Sequence, residues 1–282
     1  MQKYTEAYRS RLRRKFLSFF LIKITIVSFL ALIGGPTLLL SGQAYAQLTH
    51  INDSSTMYTV VYDVTHHRYF TYGTEGQFTV ASSIKVPILL TFLNMLEQQG
   101  RNATDDEQDL MMTMIENSNN DSASALYNEV GGGDGVTAYL QQIGVSGLSI
   151  NSDAWGWSQI SPSTMVSLLT LLNAGTILTP QDRTLVLNLM ENVEADQQIG
   201  VGDTAPSGAT VALKDGWVTG PDDLWAVNSS GIVTTQGETY IIAAYTQGQP
   251  SLEAGQNAIR QICTTVTTSI STSLDDDFGR IM

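Results

Sequence analysis

Two residue types capable of covalent chemistry stand three positions apart in the stretch Ser82-Ser83-Ile84-Lys85. The apolar run that follows, beginning at Val86, predicts a helix. Residues three apart share one face of a helix, so the Ser82 hydroxyl and the Lys85 amine lie together while Ser83 turns away. A serine becomes a strong nucleophile when a neighbouring base removes its proton, and a lysine whose pKa is lowered can be that base. The spacing therefore predicts a catalytic dyad.

Two further motifs follow along the chain. Ser118-Asn119-Asn120 lies on a junction between two predicted helices, and Lys214-Asp215-Gly216 follows the strand-like run 209–213. A glycine at 216 allows a substrate to approach the strand backbone closely. Taken singly, each residue is more typical of a cap, a turn or an exposed charge than of catalysis. The ordered set of three motifs favours a site at which three elements converge.

With these motifs in this order, the chain resembles class A β-lactamases and penicillin-binding proteins over nearly all of residues 57–273. The resemblance implies that Ser82 is acylated and that Lys85 is its base. It implies that Ser118 passes a proton to the leaving nitrogen and that Lys214 keeps this relay polarised.

The resemblance also implies how a substrate would be held. Asn120 would bind a substrate amide. The backbone amides of Ser82, at a helix N-terminus, and of Trp217 would stabilise the oxyanion.

This sequence departs from the family pattern at the loop that would complete hydrolysis. Class A β-lactamases carry there a glutamate that activates the water, whereas this chain has Trp155-Gly156-Trp157, with glycine in place of the glutamate. Asp153 is the only acid between Gly144 and Met165, and the alignment gives it a structural position. We therefore expect slow deacylation.

A second departure concerns Asp215, which stands where the family has Thr or Ser. No arginine occurs between Lys214 and Arg260 to bind a substrate carboxylate. If Asp215 lies beside the docked substrate, its charge repels an anionic β-lactam. This placement predicts a preference for neutral or cationic substrates.

The residue inventory argues against other chemistries. The three histidines, His50, His66 and His67, all lie early in the chain, where none is well placed for a Ser-His-Asp triad. No zinc-ligand spacing and no glycine-rich phosphate loop occurs. The acidic pair Asp222-Asp223 is of a kind too common to indicate catalysis. We expect neither a metal nor a cofactor.

Residues 1–46 have the composition of a targeting segment. They hold seven Lys or Arg against one acid, then the apolar run 24–40, and end in Ala44-Tyr45-Ala46. This pattern predicts a secretory signal peptide cut before Gln47. Uncleaved, the segment would be a marginal membrane anchor that still places the rest of the chain outside the cell.

Removal of this segment leaves 7 basic and 26 acidic side chains, a net charge of −19 against −13 for the full chain. Such a charge repels nucleic acids and anionic membranes, so neither is an expected partner. The single cysteine, Cys263, excludes a disulfide framework within the chain and is typical of a buried, inert thiol. We expect a monomer whose partner is a small-molecule or peptide substrate.

The hydrophobic pattern predicts an α+β domain over residues 47–274. Strands at 57–63 and 67–72 precede helical periodicity from 82 to about 195, and three more strands and a helix over 251–273 follow. The prediction is an antiparallel sheet built from both chain ends with flanking helices and an inserted all-helical lobe, the cleft lying between them. Residues 275–282 form an acidic tail.

Together these features predict a secreted serine hydrolase that acts through an acyl-enzyme at Ser82 on β-lactam-like amides. One alternative is a cell-wall peptidase, amidase or esterase of the same superfamily. The other, of a different class, is a degenerate domain that binds wall peptide or protein and catalyses nothing.

Overall fold

The computed structural model describes residues 56–279, with side chains as far as residue 269. The expected signal segment lies outside the described residues. The described strands are β1 Thr56–Asp63, β2 Arg68–Gly73, β3 Phe78–Thr79, β4 Leu148–Ser149, β5 Gln159–Ile160, β6 Thr210–Thr219, β7 Trp225–Thr235 and β8 Glu238–Gln249. The α-helices are α1 Lys85–Gln99, α2 Asp105–Glu116, α3 Asn120–Glu129, α4 Gly132–Gln142, α5 Pro162–Ala174, α6 Pro180–Glu191 and α7 Leu252–Gly279.

The main sheet has five strands in the order β2-β1-β8-β7-β6, and all neighbours are antiparallel. Strands from the start of the domain therefore pair with strands from its end, and the helices between them form the lobe. The prediction of an α+β domain with an inserted helical lobe is confirmed. Within residues 56–279, no helix is both long and apolar enough to cross a bilayer.

Both faces of the sheet are covered. Side chains alternate along β1 and β8, so each strand contributes residues to both covered faces. Tyr58 and Val60 of β1 face the cluster that contains the lobe helices. Met57 and Val61 face a second cluster that includes Ile259 of α7. The central strand β8 is consequently an almost unbroken buried run, as a strand covered on both sides must be.

Two features differ from the sequence prediction. A small sheet of β3, β5 and β4 interrupts the helical lobe; its two-residue strands are too short to show a period in the sequence. Helix α7 runs to Gly279 instead of ending at Ser273 and takes in the acidic residues 275–277. No glycine or proline lies between Gly255 and Gly279 to stop it.

The position of Cys263 agrees with the expected inert thiol. Its side chain is fully buried in the cluster that holds Ile259 and Ile262. Burial raises the pKa of the thiol well above its ordinary range, which suppresses the reactive thiolate.

We predict that Cys263 does not react with a chromogenic disulfide reagent in the native protein and reacts fully once the protein is unfolded. Stopped-flow absorbance in buffer and in denaturant measures both. Fast, complete reaction under native conditions would contradict the packing of α7 on the sheet.

Candidate active site

The candidate nucleophile lies on a short 3-10 helix, Ala81–Ile84, that leads directly into α1. Lys85 is thus the first residue of the α-helix, and Ser82 lies one turn before it. Ala81 has φ +46°, in the left-handed region that residues with a Cβ seldom adopt. A turn of this kind needs surrounding contacts to hold it.

Those contacts come from the sheet, through Ser83 and Asn228. The Ser83 hydroxyl donates to Asn228 Oδ1 and, at 3.2 Å, to the carbonyl of Lys214. Asn228 Nδ2 donates to the carbonyls of Thr79 at 3.2 Å and Val80 at 3.0 Å. Ser83 turns away from Ser82 as predicted. Asn228 was missed by the sequence analysis, and its one signal is the polar run Asn228-Ser229-Ser230 between apolar residues of β7.

Lys85 occupies the centre of the site. Its Nζ lies 3.0 Å from Ser82 Oγ and 3.0 Å from Ser118 Oγ. It also donates to the carbonyl oxygen of Ser118 at 2.6 Å and to Asn120 Oδ1 at 2.8 Å. Among the described residues, these oxygens belong to hydroxyl, carbonyl and amide groups, and none is a carboxylate. The serine and lysine predicted to act together are therefore in contact.

Burial makes Lys85 a base near neutral pH. Its side chain has no exposed area, and loss of hydration lowers its pKa to about 7, with a smaller contribution from the charge of Lys214. Ion pairing with a carboxylate would act in the opposite direction. The uncharged amine is therefore available to accept the Ser82 proton.

The turn before α3 brings Ser118 and Asn120 to this lysine. Asn119 caps the helix by accepting a hydrogen bond from the Ser122 amide at 2.9 Å. Ser118 has φ +55°, again in the left-handed region. With this backbone, both the hydroxyl and the carbonyl of Ser118 face Lys85.

Strand β6 forms the opposite wall and lies at the edge of the sheet. A Cβ at Gly216 would lie 2.6 Å from the Ser82 amide nitrogen and 3.0 Å from that of Ser83, so the position requires glycine. Lys214 shares this face of the strand. Its Nζ is buried and has no hydrogen-bond partner among the described residues, and burial lowers its pKa.

The expectation that Asp215 lines the cleft is wrong. Its side chain is only 1% exposed and accepts a hydrogen bond from the Ile199 amide at 2.6 Å. Successive strand residues face opposite ways, so Asp215 lies on the α7 side, away from Gly216. Burial raises the pKa of its carboxyl group. The charge-selectivity argument built on Asp215 falls with this placement.

Trp217 also directs its side chain to the α7 side, where it packs against the cluster of Ile259 and Ile262. The side chain is therefore directed away from the cleft, whereas the role implied by the resemblance belongs to the backbone amide.

The loop from residue 153 to 158 places an aromatic ring beside Lys85. Trp155 begins a short 3-10 helix and lies 5.5 Å from Lys85 Nζ, measured to the ring centroid. Its indole nitrogen donates to Ser124 Oγ at 3.2 Å. A Cβ placed on Gly156 would meet nothing within 4 Å. Asp153 is exposed.

Similarity to known proteins agrees with this geometry. The model of the Beta-lactamase enzyme family matches residues 105–270, which is more than half of the chain. The chain belongs to this family. Curated proteins offer no significant sequence match.

Solved structures of the β-lactamase fold superpose well on this member of the family. The TLA-3 extended-spectrum beta-lactamase has a TM-score of 0.73 at 19% identity, covering 82% of this chain and 98% of its own. PBP-A has 0.72 at 20% identity, covering 84% and 99%. A beta-lactamase from Chitinophaga pinensis has 0.71 at 20% identity, covering 81% and 100%. At these identities the likeness establishes the fold.

The described histidines of this β-lactamase-family domain lie far from Ser82. His66 and His67 are in the turn between β1 and β2, at the opposite edge of the sheet from β6. Within the described residues, one group of side chains could hold a metal ion: Asp63, His66 and Glu238 each have one possible ligand atom within 4.8 Å of the others. Arg68 already pairs with that aspartate at 2.7 Å, which makes the cluster typical of an ion-pair network.

We predict that acylation accelerates as pH rises through about 7, because Lys85 then loses the proton that prevents it from acting as a base. Labelling rates measured from about pH 5 to about pH 10 with a neutral ester give this limb. With an anionic penicillin, the labelling rate should also fall at higher pH. Burial lowers the pKa of Lys214, so this lysine loses its positive charge at a lower pH than an ordinary lysine does. A rate independent of pH through the neutral range would refute Lys85 as the base.

Proposed function

We propose that this protein is a β-lactamase-related serine hydrolase that forms an acyl-enzyme at Ser82 and releases it slowly. Its substrates are β-lactams or amides resembling cell-wall peptide. The observation that carries the proposal is the position of Lys85 Nζ, 3.0 Å from both Ser82 Oγ and Ser118 Oγ. A buried amine with a pKa of about 7 in that position suits a general base.

Acylation would begin when Lys85 takes the hydroxyl proton and Ser82 Oγ attacks the carbonyl carbon. The oxyanion would be stabilised by the backbone amides of Ser82 and Trp217. Ser118 would deliver a proton to the leaving nitrogen and regain one from Lys85, which its hydroxyl contacts. The cleavage therefore needs no group beyond this set.

An exposed amide and a buried amine would serve substrate binding. The Oδ1 atom of Asn120 already accepts a hydrogen bond from Lys85 at 2.8 Å. The NH₂ group of the same side chain would therefore be the part that binds a substrate amide. Lys214 would supply positive charge near the proton relay and to an anionic substrate. Its unpartnered buried amine supports this role, because an unpaired buried donor is costly.

Slow release follows from the loop that contains Trp155 and Gly156. Hydrolysis of the ester needs a base that activates water, and the oxygens around Lys85 include no carboxylate among the described residues. A mutant of PBP-A was solved as an acyl-enzyme complex with penicillin G; it has a TM-score of 0.70 at 20% identity, covering 84% of this chain and 100% of its own. A trapped acyl-enzyme is the behaviour we propose for this chain.

We also propose that the domain acts outside the cytoplasm. The basic and apolar composition of residues 1–46 and the sequence Ala44-Tyr45-Ala46 support export. Intact mass of the exported protein distinguishes a chain that begins at Gln47 from a retained anchor.

We predict that a fluorescent penicillin labels Ser82, that Ser82→Ala abolishes labelling and that Lys85→Ala slows it by about 10²-fold or more, since a serine without its base is a poor nucleophile. Intact mass and peptide mapping give the stoichiometry and the site.

The labelling experiment also separates the alternatives. An adduct on Ser83, or one that persists in Ser82→Ala, would contradict the assignment. Labelling of Ser82 by a fluorophosphonate and a neutral ester but not by penicillin would indicate an esterase or amidase. No adduct with any of these probes would indicate a binding domain without catalysis.

We predict that Gly156→Glu shortens the lifetime of the penicilloyl adduct by at least about tenfold, because it adds a water-activating carboxylate where the structure has free space. Gly156→Gln, of equal size without the base, is the matched control and should retain the long-lived adduct. Mass spectrometry of the adduct against time measures both. Equal lifetimes in the two variants would show that position 156 does not reach the ester.

A further inference from the structure

The segment that joins the helical lobe to the sheet contacts both walls of the cleft. It consists of residues 194–201, follows α6 after a short turn and includes the 3-10 helix Ala195–Gln197. We refer to it as the linking segment. None of its residues belongs to the candidate site.

At one end, the linking segment holds the residue that precedes Ser118. Asn117 Nδ2 donates to Glu194 Oε1 at 2.5 Å, and Gln197 Nε2 donates to the Asn117 carbonyl at 3.0 Å. The Glu194 amide donates to the carbonyl of Glu116 at 3.0 Å. Two hydrogen bonds thus hold the main-chain carbonyls before Ser118, and a third holds the Asn117 side chain.

At the other end, the linking segment holds the residue that follows Lys214. The Ile199 amide donates to Asp215 Oδ2 at 2.6 Å. Ser229 Oγ accepts from the Val201 amide at 3.0 Å and donates to the Ile199 carbonyl at 2.9 Å. Strands β6 and β7 are therefore both attached to it.

The sheet end of the linking segment has little freedom to move. Ile199 and Val201 are 2% and 1% exposed and belong to the cluster under α7. Gly200 lies between them with φ +58°, and a Cβ there would lie 2.4 Å from Ile259 Cγ2. Close packing of this kind fixes the sheet end, so the hydrogen bonds at the lobe end are made from an anchored position.

The lobe end carries the part of the site that most needs support. Ser118 has φ +55°, a backbone conformation that persists in a non-glycine residue only when its surroundings enforce it. Its hydroxyl and carbonyl must both face Lys85 for the contacts described above to form.

We propose that the linking segment sets the separation of Ser118 and Lys214. Gln197, within the segment, and Asp215, on β6 where the segment is attached, are the positioning residues. This inference rests on the proposed function, in which Ser118 transfers the proton and Lys214 supplies positive charge beside it. It gives Asp215 a role away from substrate: its carboxyl oxygen is the acceptor that anchors the Ile199 amide to β6.

The first test replaces Gln197 by Met, which preserves length and removes the hydrogen bond to Asn117. Gln108→Met is the matched control, because Gln108 Nε2 also donates to a backbone carbonyl, that of Ala103, at 3.2 Å. Gln197→Met should lower the acylation rate constant about tenfold while the affinity of the initial complex stays unchanged, since misplaced groups slow chemistry. Its melting temperature should match that of the control.

The second test uses Asp215. Asp215→Asn keeps an oxygen acceptor for Ile199 and should acylate within about twofold of wild type, whereas Asp215→Leu removes the acceptor and should lose about tenfold or more. If Asp215→Leu does not fold, the Gln197→Met comparison decides. Equal acylation by folded Asp215→Leu and Asp215→Asn, or an unimpaired Gln197→Met, would overturn the proposal.

Hydrogen exchange supplies a readout that does not depend on activity. In Gln197→Met the amides of both Asn119 and Ile199 should exchange faster, and in Gln108→Met neither should change. Failure of the wild-type protein to acylate would refute the proposed function. Amide exchange at Asn119 and Ile199 would still test whether the linking segment couples the two walls. Unchanged exchange at both ends would refute the linkage alone.

Discussion

The site depends on the burial of one lysine among neutral oxygens. Lys85 is surrounded by the Ser82 hydroxyl, the Ser118 hydroxyl and carbonyl, and the Asn120 amide. Such groups satisfy hydrogen bonds without stabilising the charge as a carboxylate would, so desolvation dominates and lowers the pKa to about 7. A carboxylate in this shell would raise that pKa and alter the first chemical step, so acylation and deacylation place opposing demands on the same surroundings.

The architecture supplies that burial from three directions. The 3-10 helix carrying Ser82 rests on β6, where Gly216 permits an approach that any side chain would prevent. The turn at Ser118 covers Lys85 from the helical lobe, and Trp155 covers it from the loop. The sheet holds the chain that enters the 3-10 helix through Asn228, which donates to the carbonyls of Thr79 and Val80.

Sequence reasoning predicted the parts of this arrangement that local pattern determines. The Ser82 and Lys85 spacing, the Asn120 position and the need for Gly216 all follow from helix periodicity, capping and strand chemistry. The expected position of Asp215 was wrong although strand alternation predicts the right one: with Lys214 and Gly216 at the cleft, the residue between them faces the other side of the sheet. The roles of Asn228 and of residues 194–201 were missed because they depend on tertiary contacts between segments distant in sequence.

The pairing of β1 with β8 has a consequence for how the chain folds. Thr56 lies opposite Gln247, and Asp63 opposite Tyr240. Strand β1 therefore cannot be fully paired until β8, the last described strand, has been made. Contacts so far apart in sequence have a large loop-closure entropy, which slows folding. During synthesis the lobe helices emerge before β8 does, so one edge of β1 still lacks its partner strand. The apolar side chains of β1 are then open to intermolecular association until β8 becomes available to pair with it.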